Sequence, residues 1–179
     1  MPDDSDVALV LKCRSGDRHA FEILLVRYQS KVFGAAYRVL NHREDAIDVT
    51  QTAFLRAYER LDQFDATQPF SAWIYRIAVN EALDQVRGKP QSESFEDDLP
   101  AERAGPDQLA DQSASDAELQ AALMALKLDY RTVLVLKHLQ GCSYEEIALI
   151  LECPVKTVKS RLFTARQALR DVLIARGIA

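Results

Sequence analysis

Glycine and proline are scarce in this 179-residue chain, at six each. Helix-breaking positions are therefore few, while alanine and leucine are abundant, a balance that favours helices. Cysteine occurs three times, at Cys13, Cys142 and Cys153. An odd count without a paired C-x-x-C spacing argues against a structural disulfide or a four-ligand zinc site. The three read as small buried hydrophobes in a reducing cytoplasm. The histidines His19, His42 and His138 are isolated; His138 and Cys142 lie four apart, but no further ligand stands near them in sequence. No metal or other cofactor is expected. No apolar run approaches the roughly 20 residues of a membrane span, so no membrane insertion is expected. The first residues, Met1-Pro2-Asp3-Asp4-Ser5-Asp6, are acidic and have no apolar core, which gives no expectation of a secretory signal. A Gly-rich phosphate loop, a nucleophile elbow and a metal-ligand cluster are all missing. Neither an enzyme nor a small-molecule substrate is expected.

What is present is an uneven charge. The net charge is −5. From 92 to 118 nine acids stand against Arg103, and from 153 to 179 six bases stand against Asp171. The acidic stretch masks a basic C-terminal module, and such asymmetry points to nucleic-acid contact at one end.

Three parts follow along the chain. Residues 1–90 read as a helical bundle: a short helix from Val7 to Cys13, a long one capped by Asp17 and ended at Asn41-His42, a third from about Glu44 to Leu61, and a fourth from Ser71 to Arg87. Residues 91–113 are rich in Pro, Ser, Asp and Glu and read as a disordered or extended linker. Residues 114–179 read as a four-helix module. There Ser115 with Glu118 and then Asp129 are the expected N-caps, and Gly141 is the expected stop.

The sharpest motif lies within the last module, from Ser143 to Arg166. Ser143 and Glu146 form a capping box. Ile147, Ala148, Ile150 and Leu151 supply an inner face, and Cys153-Pro154 breaks the helix, with Pro154 expected at the first position of the next. Val155, Val158, Leu162, Ala165 and Leu169 then repeat at three and four, a core stripe. Lys156, Lys159, Ser160, Phe163 and Arg166 fall on the opposite side. Lys and Arg reach guanine edges or phosphates, Ser bonds either, and Phe touches a thymine methyl. This is a helix-turn-helix whose second helix suits a major groove; the plainer alternative is an αα-hairpin with a solvated basic face.

A second constellation lies in the first module, where Phe64, Phe70, Trp73 and Tyr75 cluster around Arg76 and Asn80. Aromatic faces interleaved with Arg and Asn suit unstacked bases. Aromatics at helical spacing also pack inward as core, and taken alone that is the simpler reading.

The two constellations stand in a longer ordered set. It comprises Gly16-Asp17 with Ala20-Phe21, the run from Asp45 to Phe54, Phe70-x-x-Trp73-Ile74-x-Arg76-Ile77-Ala78-x-Asn80, Leu139-x-Gly141-x-Ser143-Tyr144-Glu145-Glu146-Ile147-Ala148, and Pro154-x-x-Thr157-Val158-Lys159-Ser160-Arg161. The set resembles the bacterial RNA polymerase sigma factors of the extracytoplasmic-function (ECF) group over nearly the whole chain. The resemblance implies an all-α fold of two helical domains, a promoter −10 domain and a promoter −35 domain, joined by the acidic linker. It implies core RNA polymerase and promoter DNA as partners. Asp45, Asp48 and Gln51 would dock the clamp-helix coiled coil of the polymerase. Phe64, Phe70, Trp73, Arg76 and Asn80 would capture the opened −10 strand, while the acidic linker would thread the RNA-exit channel. Lys156, Thr157, Lys159, Ser160, Arg161, Phe163 and Arg166 would hold the −35 duplex. An anti-sigma protein, which would hold the factor at the inner membrane, or a Ser/Thr kinase would regulate it.

Two departures from the family pattern bear on function. Thr164 stands where relatives commonly carry Arg, which points to a different promoter sequence. Ile47 and Thr52 stand where relatives usually carry acids. The polymerase-docking stretch is therefore short of negative charge, which phosphate on Thr50 or Thr52 would restore by about −1.5 to −2. The rival functional readings are a helix-turn-helix regulator that binds duplex without polymerase, and an interaction module that binds polymerase but not DNA.

Overall fold

The computed structural model describes residues 5–88 and 114–178. The expected linker, residues 91–113, lies outside them. Among the described residues the regular structure is helical throughout.

Helix α1 (Asp6–Arg14) opens on Ser5, whose hydroxyl accepts from the Ala8 amide. Helix α2 (Arg18–Leu40) opens on Asp17, which accepts from the His19 and Ala20 amides, as the sequence implies. It buries Phe21, Leu24, Tyr28, Val32, Ala35, Ala36 and Val39, one stripe at steps of three and four. Asn41 ends it in the left-handed region at φ 54°, a conformation Asn tolerates better than most residues. Helix α3 (Arg43–Glu59) packs on α2 and on α4 (Phe70–Gly88). Its buried residues are Ala46, Val49, Ala53, Phe54 and Ala57, and the three alanines let it lie close to its neighbours. An Arg56–Glu81 ion pair ties α3 to α4.

The second module starts with α5 (Ala114–Met124) and α6 (Leu128–Leu134), which continues into a π-turn at Val135–Leu139. Two expected caps are corrected here. Ser115 lies inside α5 rather than before it. The N-cap of α6 is Lys127, with no side-chain cap, and Asp129 sits in its first turn, where a carboxylate favours the helix dipole without closing the helix end. Gly141, at φ +70°, turns the chain after the π-turn. Helix α7 (Tyr144–Ile150) carries the full capping box: Glu146 N donates to Ser143 Oγ at 3.1 Å, and Ser143 N donates to the Glu146 carboxylate at 2.6 Å. Its turn to α8 (Val155–Ala175) passes through Glu152 at φ 50°. Pro154 is the N-cap of α8, one residue earlier than expected; its missing N–H costs nothing there either.

The two modules share one apolar core. Helix α7 packs on α4, and the π-turn and α5 pack on α2.

Candidate nucleic-acid interface

Helix α8 divides as its sequence pattern requires. Val158, Leu162 and Ala165 are buried against α6 and α7, while Val155 and Leu169 are half-buried. Lys156, Lys159, Ser160, Phe163 and Arg166 are exposed, Phe163 at 66%. A phenyl ring so open to water has no stabilising role in this fold, and an apolar ring beside three cations suits a duplex edge.

The cations are held in place. Lys137 and Lys159 lie over the Tyr144 ring at 4.7 and 5.7 Å, which gathers two positive charges at the exposed face of α8. Arg166 Nε donates to His138 Nε2 at 3.3 Å. Partial burial, then the charges of Arg166 and Lys137, push the His138 imidazole pKa down, which favours the neutral form that can accept. Thr157 and Arg161 are half-buried. Arg161 lies 3.6 Å from Asp129, so it has an internal partner to leave before reaching phosphate. Thr164 turns its hydroxyl back to the Ser160 carbonyl at 3.2 Å. It therefore offers no cation and no free donor at this point of the exposed face.

The first module is built differently. Phe64, Phe70 and Trp73 are 4%, 1% and 7% exposed. They form one cluster with ring centroids 5.3 to 5.8 Å apart, and Tyr28 closes it at 5.5 Å from Phe70. In the free chain these three rings pack inward, held by burial of roughly 2–3 kcal/mol per ring. What they hold up is the surface above them. Arg76 and Asn80 are half-exposed on α4, and the loop from Asp65 to Pro69 is largely open.

That loop is braced at its start and within its own turn. Arg14 donates to the Leu61 carbonyl at 3.0 and 2.6 Å and to the Phe64 carbonyl at 2.7 Å. Asp65 accepts from the Thr67 amide at 2.9 Å and the Thr67 hydroxyl at 2.7 Å, bonds that hold its carboxyl below the usual range. Gln68 N closes the turn on the Asp65 carbonyl at 3.0 Å. Sequence reasoning missed the bracing by Arg14, although Asp65-x-Thr67 is a readable turn signal.

On α3, Asp48 and Gln51 are exposed, and Asp45 is half-buried beside His42 at 3.4 Å. Thr50 and Thr52 are half-buried, and Thr50 spends its hydroxyl on the Ala46 carbonyl at 2.7 Å. Beside Gln51 runs an apolar groove of about 360 Å³ lined by Phe21, Leu25, Phe54, Leu55 and Tyr58.

The whole arrangement matches known proteins. Residues 24–90 match the sigma-70 region 2 family and residues 116–169 the sigma-70 region 4 family. The RNA polymerase sigma-H factor of Pseudomonas aeruginosa is 34% identical over 97% of this chain and 96% of its own length. The ECF RNA polymerase sigma-E factor of Escherichia coli (strain K12) is 37% identical over 92% of each. Among solved structures, the complex of CnrH with the cytosolic domain of CnrY matches at a TM-score of 0.76 and 30% identity, covering 96% of this chain and 99% of the matched one. The sigma factor RpoE of Bartonella quintana, in complex with the anti-sigma factor NepR, matches at 0.69 and 26%, covering 86% and 96%. The chain belongs to the ECF group of RNA polymerase sigma factors, and its work is promoter-specific transcription initiation.

Proposed function

We propose that this sigma factor docks on core RNA polymerase through the exposed face of α3 and holds its promoter by two unlike grips. The observation that carries the reading is α8, which buries Val158, Leu162 and Ala165 and leaves a continuous basic face with Phe163 in water. Lys156, Lys159 and Arg166 position the helix on −35 phosphates and base edges, and Ser160 and Phe163 contribute to base choice. The −10 grip consists of Arg76, Asn80 and the braced loop from Asp65 to Pro69, with the Phe64–Phe70–Trp73 cluster as the floor beneath them. An amide such as Asn80 reads the edge of an unstacked base. Asp48 and Gln51 meet the polymerase coiled coil, with Asp45 at the start of the same helix and Leu55 at the rim of the apolar groove.

An anti-sigma protein is the natural regulator, since a solved relative is held by one. A phosphate switch is a second reading, favoured by the shortage of acids around Thr52. Thr52 suits it better than Thr50, whose hydroxyl is already spent on Ala46. Arg56 stands one turn after Thr52, at the spacing where opposite charges on a helix meet.

Purified chain and core polymerase test these assignments together. The Lys156→Glu and Lys159→Glu double variant should bind core normally and lose promoter-directed transcription. Undiminished transcription would remove α8 from the −35 grip. Thr52→Glu should bind core more tightly than Thr52→Ala; equal binding would end the phosphate reading.

A further inference from the structure

After α6 the chain widens into the π-turn of Val135–Leu139, closed by the Gln140 amide on the Val135 carbonyl at 3.0 Å. Such turns are uncommon and recur at functional sites. This one buries Val135 and Leu136. The next two side chains, Lys137 and His138, each reach a different part of the basic face of α8. Lys137 shares the Tyr144 ring with Lys159, and its Nζ donates to the Cys142 carbonyl at 3.1 Å. His138 faces Arg166, whose Nε donates to its Nε2 at 3.3 Å.

The bond from Arg166 fixes more than a distance. A guanidinium is planar and carries five N–H donors in a fixed fork. Holding Nε at the imidazole sets the plane of the group and leaves the two terminal nitrogens for a ligand. Two such nitrogens match the O6 and N7 acceptors of a guanine edge, the commonest specific arginine contact. The chemistry of the partner matters as well. Arg161 is held by a carboxylate, Asp129, at 3.6 Å, which offsets its charge while orienting it. A neutral ring orients Arg166 and leaves its full charge for DNA.

The surroundings make that neutrality conditional. His138 and Arg166 line an apolar groove of about 360 Å³ with Leu134, Leu169, Arg170 and Leu173. Among the described residues no carboxylate lines it. Lys137 adds a charge from the π-turn itself, and Arg170 adds one from α8. Helix α7 turns Tyr144 to the two lysines and keeps Glu146 in its capping box. Helix α2 meets the turn through Gly34 against Gln140. Accepting at Nε2 places the ring proton on Nδ1. A second proton turns both ring nitrogens into donors. The acceptor is then lost, and a cation stands against Arg166.

We propose that His138 is a positioning residue for promoter choice: its neutral imidazole holds the Arg166 guanidinium in the plane that reads a guanine edge of the −35 element, and a proton on the ring releases it. The inference rests on the −35 reading above. It adds the residue that sets the geometry and the condition that undoes it. Burial and the neighbouring cations push the imidazole pKa down, so the pair is intact at neutral pH and opens below about pH 6.5. Acidification then relaxes the choice of base without weakening the hold on phosphate, because the ring gains positive charge.

Competition between duplexes for holoenzyme, assembled from the full chain and core polymerase, tests this. The reference duplex is a promoter fragment recovered by run-off transcription. The competitors carry single base-pair changes in its −35 element. Arg166→Ala identifies the base pair that Arg166 reads, as the position where discrimination collapses; a bidentate arginine supplies about fivefold to 150-fold there. At neutral pH His138→Ala should lose about threefold to tenfold of that factor, the cost of ordering a free arginine, with affinity for the substituted duplex unchanged. His138→Gln places an amide oxygen where the ring held Nε2 and should keep the discrimination. Between about pH 7.5 and about pH 5.5, either side of the ordinary histidine range, discrimination should fall in wild type and stay level in His138→Gln. The same polymerase serves both, so its own titrations cancel. In the Arg166→Ala background, His138→Ala should cost nothing further, as expected of two residues acting as one unit. Equal discrimination by wild type and His138→Ala, or an equal fall with pH in wild type and His138→Gln, overturns the positioning role. So does a His138→Ala loss that persists without Arg166, which would mark a structural effect. If Arg166→Ala changes discrimination at no −35 position, Arg166 is not a base contact and the inference falls with that assignment. The Lys156→Glu and Lys159→Glu double variant then still reports whether α8 holds the −35 element.

Discussion

The two modules treat their aromatic residues in opposite ways. The first buries Phe64, Phe70 and Trp73 beneath a braced loop, while the second leaves Phe163 in water. Under the proposed function, the difference follows from what each would hold. A closed duplex offers edges and phosphates at fixed spacing, so a rigid helix with its contacts already displayed suffices. An opened strand offers unstacked bases that must be received, which needs a supported floor and a surface above it. Rings that form the floor are therefore structural, and a ring displayed on α8 is not.

Matched substitutions sharpen that contrast. Phe70→Ala should cost about 3–5 kcal/mol of stability by thermal or denaturant unfolding, whereas Phe163→Ala should stay within about 0.5 kcal/mol. Similar losses at both sites would erase the distinction between floor and display. A smaller effect is expected at the helix-turn-helix entry. Ser143→Ala should destabilise by about 1 kcal/mol, since the Glu146 amide then loses its acceptor; urea unfolding reads this directly. The smallest effect concerns His138. Its folded imidazole favours the neutral form, so the unfolded chain binds more protons below about pH 6.5, and stability falls as the pH drops through that window. His138→Gln should flatten that part of the pH profile, and an unchanged slope would assign it to other groups.

Local signals in the sequence were readable wherever the structure satisfies them locally. Asp17 caps α2, Ser143 and Glu146 cap one another, and α8 divides into a buried stripe and a basic face as its spacing requires. Ser115 and Asp129 carry the same kind of pattern, yet α5 and α6 begin at or before them. A cap residue signals a helix start only when the preceding residues leave the helix, and Leu128 does not. Helical spacing of aromatics marked Phe70 and Trp73 without deciding which way they point, because that depends on Tyr28 and Phe64 arriving from other elements. The polar contact between the modules left no pattern at all. Arg131 donates to the Val39 carbonyl 92 positions away, and a single buried guanidinium has no period.

Run-off transcription with core polymerase on genomic fragments tests the central claim most directly. The account predicts discrete transcripts that require the factor, disappear with the Lys156→Glu and Lys159→Glu double variant, and start a fixed distance downstream of a shared pair of promoter elements. Specific duplex binding by the protein alone, with no factor-dependent transcript from any fragment, would contradict it.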